Sequence, residues 1–532
     1  MSRLDDISKR LDARMAEIDR RIKGIVGGGE PERGGGNCRS AGGVMRSAVA
    51  PLNPEFIRWA SGSRRSAGPF FGLVPEPFDF AYLRRCAPGA ARRAPKAFPP
   101  QYDLRTQRAL MPVRNQGSYG TCWAHAALAS LESCVLRNGG EVMDLSENNL
   151  ANLSGFDSGY GDGGNGNMAC AYLLRWDGPV LESEDPYGRP GASRAFPPTY
   201  HLQSVRWVPP MRDASDTAGL KEAVSELGAV YVGYMHDQEP AVFNEETAAY
   251  YLAGQASPQS GGHAVAIVGW DDAFPREKFR VTPPGDGAWI VRNSWGTGWG
   301  DGGYFYVSYH DQTFGRMTPG YVFCGVESKA NYDDVLQYDR LGLVSCIGLS
   351  ESASAANVFP ADRDLSVQAV GFYALAPQTS YRVSVRVGCS AENPVSGDEV
   401  CAVTGVCEWP GYVTVSLPSA VGVSRGQLFS TVVELTSPGM TTPVGIEFAF
   451  PQLGTSKAEA APGQSFCRVD ESGWMDMTQL DKTANFCCKA YVRYGEAGAE
   501  RSHKKFCKKC GEYTWVESWS EAARCRNCGA WL

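Results

Sequence analysis

Apolar residues near the start of the chain recur every three or four positions, and charged residues of both signs fill the positions between them. This spacing places the apolar side chains on one stripe of an α-helix. It predicts an amphipathic helix over residues 1–25, whose stripe consists of Leu4, Ile7, Leu11, Met15, Ile18, Ile22 and Ile25. Such a stripe suits self-association through a short coiled coil, and a frayed surface helix accounts for it equally well. Residues 26–97 are rich in glycine, proline and arginine, and the glycine run at 27–36 indicates a linker.

A period of two governs the region from residue 326 to residue 496. Short runs there alternate apolar and polar residues, as in 381–387, 412–417 and 446–450, and glycine, proline and serine separate the runs. This pattern is typical of an antiparallel β-sandwich. Earlier in the chain, the apolar residues between 123 and 136 have helical spacing, which predicts a helix that begins beside Cys122.

Composition limits the classes of function. The chain has 532 residues, of which 43% are hydrophobic and 20% are charged, which is typical of a globular protein with several domains. A net charge of −7 without a basic block argues against a nucleic-acid partner. No apolar run reaches the roughly 20 residues of a spanning helix, so we expect no membrane span. The first residues lack the apolar core of a signal peptide, which favours the cytoplasm.

The cysteines form one recognisable pattern. Among the 17 in the chain, two CxxC pairs lie close to the end, at Cys507, Cys510, Cys525 and Cys528. Four thiolates at this spacing suit tetrahedral Zn²⁺ and leave no open position, so we expect a structural zinc ribbon over residues 504–532. Two disulfides are the alternative. For the remaining cysteines, disulfides and free thiols in a reducing compartment fit equally well.

Three separated segments carry matching chemistry. Cys122 lies in an Asn-Gln-Gly-Ser-Tyr-Gly-Thr-Cys-Trp-Ala run, His263 follows Gly261 and Gly262, and Asn293 begins Asn-Ser-Trp-Gly-Thr-Gly-Trp-Gly. A thiol becomes a good nucleophile as the thiolate, which an imidazolium and a helix N-terminus both stabilise. The imidazole needs a third group to fix its tautomer, and an amide oxygen can fill that role.

At these residues the chain resembles the papain family of cysteine peptidases. The resemblance implies an α+β fold, with a two-lobed catalytic domain over residues 98–325 that is helical in its first half and strand-rich in its second. It implies that Cys122 is the nucleophile, His263 the general base and acid, and Asn293 its orienting partner. Gln116 matches the family's oxyanion-hole glutamine, and catalysis needs no cofactor.

The same resemblance implies a substrate-binding set, which comprises Gly163, Gly164, Asn165, Gly233, Gly262 and Trp295. Trp295 and Trp299 match tryptophans that shield the histidine–asparagine pair from water. Asn165 stands where the family often has a bulky residue, and Gly233 matches a pocket floor, so we expect an open, weakly apolar pocket. Both cysteines of one family disulfide are missing, and Tyr119 replaces one of them.

The regions that flank the catalytic unit extend the resemblance to bacterial members of the family. Residues 45–97 resemble a pro-segment that crosses the cleft, and a static N-terminal embellishment is the alternative. The predicted sandwich over 326–496 resembles an appended lectin-like domain, which implies a glycan ligand and an extracellular location, against the cytoplasm that the N-terminus favours.

The expected function is a cysteine-type endopeptidase that acts on proteins or peptides through an acyl-enzyme. The alternatives are an inactive scaffold that binds glycans or proteins, and an acyltransferase that uses the same thioester. Among the other histidines, we assign His125, one turn after the nucleophile, and also His201, His236 and His310, to packing or surface roles.

Overall fold

The computed structural model describes residues 13–21, 48–61, 71–85, 97–141, 143–469 and 473–495, together with the backbone of 503–507 and 512–516. The glycine linker predicted at 27–36 and both ends of the predicted N-terminal helix lie outside these residues. So do Cys510, Cys525 and Cys528 of the predicted zinc site, and Cys507 is described through its backbone alone.

The helices lie mainly in the first half of the catalytic region. They are α1 (13–21), α2 (Pro54–Ser61), α3 (Cys122–Arg137), α4 (Glu147–Asn152), α5 (Gly166–Leu174) and α6 (Ala218–Glu226). Helix α3 is buried from its first residue to Val135, because it packs between α4 and α5 on one side and the catalytic strands on the other. Its alanine-rich sequence allows this close approach from all sides.

The strands of the catalytic region follow in its second half. They are β1 (Gln101–Asp103), β2 (Tyr200–Leu202), β3 (Val205–Val208), β4 (Val230–Asp237), β5 (Phe243–Asn244), β6 (Ala249–Tyr250), β7 (Ser260–Asp271), β8 (Ala288–Arg292), β9 (Tyr304–Ser308), β10 (Gly320–Val322) and β11 (Val326–Ser328). Antiparallel pairing of β4 with β7 sets Tyr234 opposite His263, and β7 pairs with β8 beyond it. The sheet therefore brings His263 in β7 and Asn293, just after β8, to the same end.

The region after residue 333 is all β. Its strands are β12 (Asp334–Gln337), β13 (Ser345–Ile347), β14 (Ser352–Pro360), β15 (Leu365–Ala374), β16 (Thr379–Val387), β17 (Asp398–Cys407), β18 (Gly411–Val423), β19 (Leu428–Thr436), β20 (Val444–Glu447), β21 (Ser465–Arg468), β22 (Met475–Asp476), β23 (Asn485–Phe486) and β24 (Cys488–Tyr494). A six-stranded antiparallel sheet, in the order β17-β16-β19-β14-β21-β22, shares one apolar core with β15, β18 and β24. The alternating runs thus form the two faces of a sandwich.

The two regions are joined through the backbone. Strand β18 pairs with β3, so a single 13-stranded sheet runs from the catalytic strands into the sandwich. Strand β11, which directly follows the predicted catalytic domain, pairs with β2 of the catalytic region.

The N-terminal segments pack on the same chain. Ile18 of α1 is 1% exposed within the core of the sandwich, and Arg14 forms an ion pair with Asp481. This position of the predicted apolar stripe is therefore covered by its own chain and is not available for a coiled coil. Further on, Phe56 of α2 enters the same core, and Tyr82 donates a hydrogen bond to Leu375 O at 2.5 Å.

Near the end of the chain, β25 (His503–Cys507) pairs with β26 (Glu512–Val516) in an antiparallel hairpin. Within the residues described, no group of three or more histidine, cysteine or acidic side chains could hold a metal ion. Among the same residues, no helix is both long enough and apolar enough to span a bilayer.

Candidate active site

Cys122 is the first residue of α3, so its thiol faces the free N–H groups of a helix N-terminus. Its Sγ accepts a hydrogen bond from Ala264 N–H at 3.3 Å. Burial raises the pKa of the Cys122 thiol to about 12, and the N–H groups of Ala264, Trp123 and Cys122 itself oppose that rise. In this covered state the sulfur is a thiol, and its environment already contains the donors that a thiolate needs.

His263 and Asn293 form a hydrogen-bonded pair. Nε2 of His263 lies 2.8 Å from Asn293 Oδ1, which also accepts the N–H of Ser294 at 2.8 Å. An amide oxygen can only accept, so Nε2 carries the proton and Nδ1 has a free lone pair. That Nδ1 is buried and has no hydrogen-bond partner among the residues described, so it is the nitrogen able to take a proton from a thiol. Burial lowers the pKa of His263 to about 4, although the bond to Asn293 acts in the opposite direction.

Two tryptophans cover this pair. The Trp295 ring stacks on the His263 ring with centroids 4.8 Å apart, and Trp299 meets Trp295 edge-on at 4.8 Å. The His263–Asn293 hydrogen bond is therefore removed from water, which strengthens it. Their positions agree with the shielding role that the resemblance implied.

Gln116 binds a peptide carbonyl oxygen. Its Nε2 donates to Phe71 O at 2.9 Å and to Tyr119 O at 2.8 Å, while its Oε1 accepts from Ser294 Oγ at 2.7 Å. The amide is thus fixed from both ends, with one N–H directed at a carbonyl that another segment brings into the cleft. This is the geometry that an oxyanion donor requires.

That segment, residues 71–74, is hereafter the leader strand. Leu73 N–H donates to Gly262 O at 3.1 Å, Val74 N–H donates to Gly164 O at 2.9 Å, and Gly164 N–H donates to Gly72 O at 2.9 Å. Two of the predicted substrate-binding glycines, Gly164 and Gly262, therefore bind the same short segment of this chain, one on each side of it. The Phe71 ring lies 5.3 Å from the His263 ring.

Leu73 occupies the space in which we expected an open pocket. A Cβ on Gly233 would lie 2.6 Å from Leu73 Cδ2, so this glycine makes the room for the leucine. Asn165 has a structural contact in addition to its predicted place in the pocket. Its buried side chain accepts the N–H of Met168 at 3.0 Å and so caps α5. Gly163, at a φ of +89°, allows the backbone turn that precedes this cap.

Sequence reasoning missed His236. Its ring lies 4.9 Å from Trp295, 5.2 Å from Phe71 and 6.0 Å from His263, and its Nδ1 is 2.8 Å from Tyr234 Oη. Burial, and then His263, lower the pKa of His236 to about 3. The packing role assigned to it is incomplete, because it borders the cleft. The alternation of side chains along a strand could have indicated this position. His236 lies two residues after Tyr234, so it is on the same face of β4 as the residue that pairs with His263.

Comparisons with known proteins agree with this geometry. Residues 98–333 match the family model described as papain family cysteine protease, and residues 335–492 match that of the lectin like domain. Cathepsin K of Gallus gallus is 32% identical over 236 residues, which are 44% of this chain and 64% of that protein. Digestive cysteine proteinase 2 of Homarus americanus is 29% identical over 253 residues, which are 47% of this chain and 72% of that protein.

Two solved structures extend the likeness across both regions. The cysteine protease and lectin-like domains of Cwp84, a surface layer associated protein of Clostridium difficile, have a TM-score of 0.70 at 24% identity, over 84% of this chain and 98% of that one. Cwp84 after propeptide cleavage has a TM-score of 0.65 at 26% identity, over 74% of this chain and 99% of that one. The prediction of a papain-like domain followed by a lectin-like domain is confirmed: residues 98–333 are a cysteine peptidase domain of the papain family, and residues 335–492 are a lectin-like domain.

Proposed function

We propose that the protein is a cysteine-type endopeptidase in which Cys122 is the nucleophile and His263 the general base and acid. The observation that carries the assignment is the buried bond of 2.8 Å from His263 Nε2 to Asn293 Oδ1, because it leaves Nδ1 as the proton acceptor. Papain-family peptidases are thiol proteases, and the peptidase domain makes this protein a hydrolase.

The proposed reaction is acyl transfer to the thiol and then to water. Cys122 Sγ gives its proton to His263 Nδ1 and attacks the scissile carbonyl carbon. The oxygen, now negative, accepts from Gln116 Nε2 and the backbone N–H of Cys122. His263 then protonates the leaving amine, and the same ring later takes a proton from the water that hydrolyses the thioester. Asn293 keeps the ring in the tautomer that this sequence needs.

The catalytic roles have a direct test. Cys122→Ala and His263→Ala should both abolish peptide hydrolysis, because each removes an atom that forms or breaks a bond. Asn293→Ala should reduce kcat less than His263→Ala, since it only orients the ring. In a chain that begins near Phe98, which lacks the leader strand, a thiol-specific epoxide should label Cys122 but should not label the Cys122→Ala variant. Full hydrolysis by Cys122→Ala would reject the assignment.

We propose that residues 45–97 are a pro-segment and that the leader strand is its inhibitory part. The support is its position: Phe71 O occupies the donor of the oxyanion site, and Leu73 fills the pocket above Gly233. A substrate cannot bind the same backbone groups while the leader strand holds them. A shortened chain that begins near Phe98 should therefore be more active per folded molecule than the full chain. Equal activity of the two would count against a pro-segment.

We propose one structural zinc ion in residues 504–532, bound by Cys507, Cys510, Cys525 and Cys528. The antiparallel pairing of Cys507 with Glu512 supports it, because Cys507 ends one strand and Cys510 belongs to the short segment that connects this strand to the next. Such small domains typically depend on the ion for their fold.

For the lectin-like domain we propose a glycan ligand, and for the peptidase domain protein or peptide substrates. Glycan-array binding by the full chain would test the first proposal, and binding indistinguishable from an unrelated protein would reject it.

Two observations bear on the compartment: the similar protein Cwp84 is surface layer associated, while Cys122, Cys134, Cys346 and the other described cysteines are free thiols. Cell fractionation, together with the N-terminal sequence of the mature form, would decide between an extracellular location and a reducing compartment inside the cell.

A further inference from the structure

A small polar cavity adjoins Asn293 of the catalytic pair. Its lining includes His125, Glu147, Arg292 and Asn293. It leaves about 10 Å³ for the centre of a water-sized sphere, which is room for one water molecule. The side chains of His125, Glu147, Arg292 and Asn293 are all at least nine-tenths buried.

The Asn293 amide is held at one end only. Its Oδ1 accepts from His263 Nε2 and from Ser294 N–H, each at 2.8 Å. Its Nδ2 is buried and finds no acceptor within the described parts of the chain. An unsatisfied buried N–H group is costly, so a group in the adjoining cavity is needed to accept from it.

His125 has the complementary need. Its Nδ1 lies 3.0 Å from Thr121 O, and a carbonyl oxygen can only accept, so Nδ1 carries the proton. The lone pair of Nε2 is then an acceptor, and it is buried with no donor among the described residues. Burial lowers the pKa of His125 to about 4, so the ring is neutral near pH 7 and this tautomer persists. One cavity thus contains a donor without an acceptor and an acceptor without a donor.

We propose that His125 is a positioning residue for Asn293 and acts through one buried water, which accepts from Asn293 Nδ2 and donates to His125 Nε2. Arg292 and Glu147 also line the cavity and give this water its other two partners. Arg292 Nη1 lies 3.8 Å from Glu132 Oε2 and makes no hydrogen bond with the described residues, so it can donate to the water. The inference rests on the orienting role proposed for Asn293.

The proposed contacts form a continuous path. Thr121 O, which accepts the hydrogen bond from His125 Nδ1, belongs to the residue directly before Cys122. From there the path runs through His125, the water and Asn293 to His263. The general base is thereby fixed relative to the helix that carries the nucleophile, and the amide of Asn293 cannot turn its NH₂ group toward His263.

Three substitutions of His125 distinguish the role of its Nδ1 from the role of its Nε2. His125→Gln reaches the position of Nε2 and can place an acceptor there. His125→Asn keeps a donor for Thr121 O but does not reach into the cavity, and His125→Phe keeps the ring volume with neither function. We expect kcat to fall about tenfold in the Asn and Phe variants, with KM within about twofold of wild type, and to recover to within about threefold in the Gln variant. Thermal unfolding of each variant shows which of them keep the fold.

A double-mutant cycle with Asn293→Ala makes the test specific. If His125 acts through Asn293, His125→Asn should lower kcat less than twofold once Asn293 is alanine. The same tenfold loss in both backgrounds would overturn the proposal and indicate a packing role. If Asn293→Ala alone leaves kcat unchanged, the orienting role of Asn293 fails, and the inference fails with it. If Asn293→Ala lowers kcat and the effect of His125→Asn on kcat is additive to it, the orienting role of Asn293 stands and only the water-mediated contact is rejected.

Discussion

Gly72 is the residue at which the covered cleft can be opened by a single substitution. A Cβ at this position would lie 2.7 Å from Gly120 Cα and closer still to the Gly120 carbonyl group, and the φ of Gly72 is +118°. Backbone atoms on the cleft wall cannot move aside as a flexible side chain could. Gly72→Ala should therefore expel the leader strand from the cleft.

The size of the effect follows from what the docked strand must lose. A non-glycine residue at a strongly positive φ costs about 1–3 kcal/mol. If the docked strand shifts away from Gly120 to make room for the Cβ, it also breaks the hydrogen bonds from Leu73 N–H to Gly262 O and from Gly164 N–H to Gly72 O. Each group that is left unsatisfied while still buried costs about 1–3 kcal/mol. Even the lower figures together reach about 3 kcal/mol, which changes the docking equilibrium by roughly a hundredfold.

The assay is the rate at which iodoacetamide alkylates Cys122. We expect Gly72→Ala to react about a hundredfold faster than the wild-type full chain, up to the rate of the chain that begins near Phe98. Gly388→Ala is the matched control, because this glycine also has a positive φ, +76°, but nothing within 4 Å of a Cβ. A wild-type alkylation rate in folded Gly72→Ala would refute the reasoning.

The remaining predictions concern the oxyanion donor, pH and the metal. Gln116→Ala in the shortened chain should lower kcat about 10²–10³-fold, measured with a peptide substrate, and a smaller loss would argue against an oxyanion role. The pKa of His236 is lowered to about 3 in the covered cleft, so the open state binds a proton more readily than the docked state. Protonation of His236 should therefore weaken leader docking as the pH falls from about 6.5 toward 3. Glu76 lies two residues after the leader strand, is buried, and accepts a hydrogen bond from Tyr321 Oη at 3.2 Å. Burial raises the pKa of Glu76 to about 7, so the protonation of Glu76 should strengthen docking as the pH falls from about 7 to 4.5. Alkylation rates relative to the shortened chain should therefore show docking tighten toward acid pH in His236→Gln and loosen in Glu76→Gln, and identical profiles would exclude both effects. Plasma emission measurement should find one zinc per chain, lost in Cys507→Ser with peptidase activity kept, whereas loss of activity with the zinc would show that the ribbon is not an independent unit.

The candidate catalytic residues could be proposed from the sequence because their chemistry is local. Cys122, His263 and Asn293 each lie in a short run whose residue types serve one reaction, and the resemblance needed no knowledge of the rest of the fold. The sandwich was predictable for a similar reason, since strand alternation is a property of each strand by itself.

What escaped prediction depends on contacts between distant segments. Neither the contact of His236 with Trp295 nor the cavity between His125 and Asn293 follows from a motif, because strand register and helix packing create them. The pairing of β18 with β3, which joins the two regions, is equally invisible in the sequence of two short segments.

The central claim is that Cys122 hydrolyses peptide bonds, and product analysis in oxygen-18 water tests it most directly. The chain that begins near Phe98 is incubated with a denatured protein, and the products are sequenced by mass spectrometry beside those of Cys122→Ala. We expect internal cleavage with oxygen-18 in the new carboxyl groups, and no cleavage by Cys122→Ala. Cleavage that persists in Cys122→Ala, or no cleavage by the folded wild-type chain, would contradict the account.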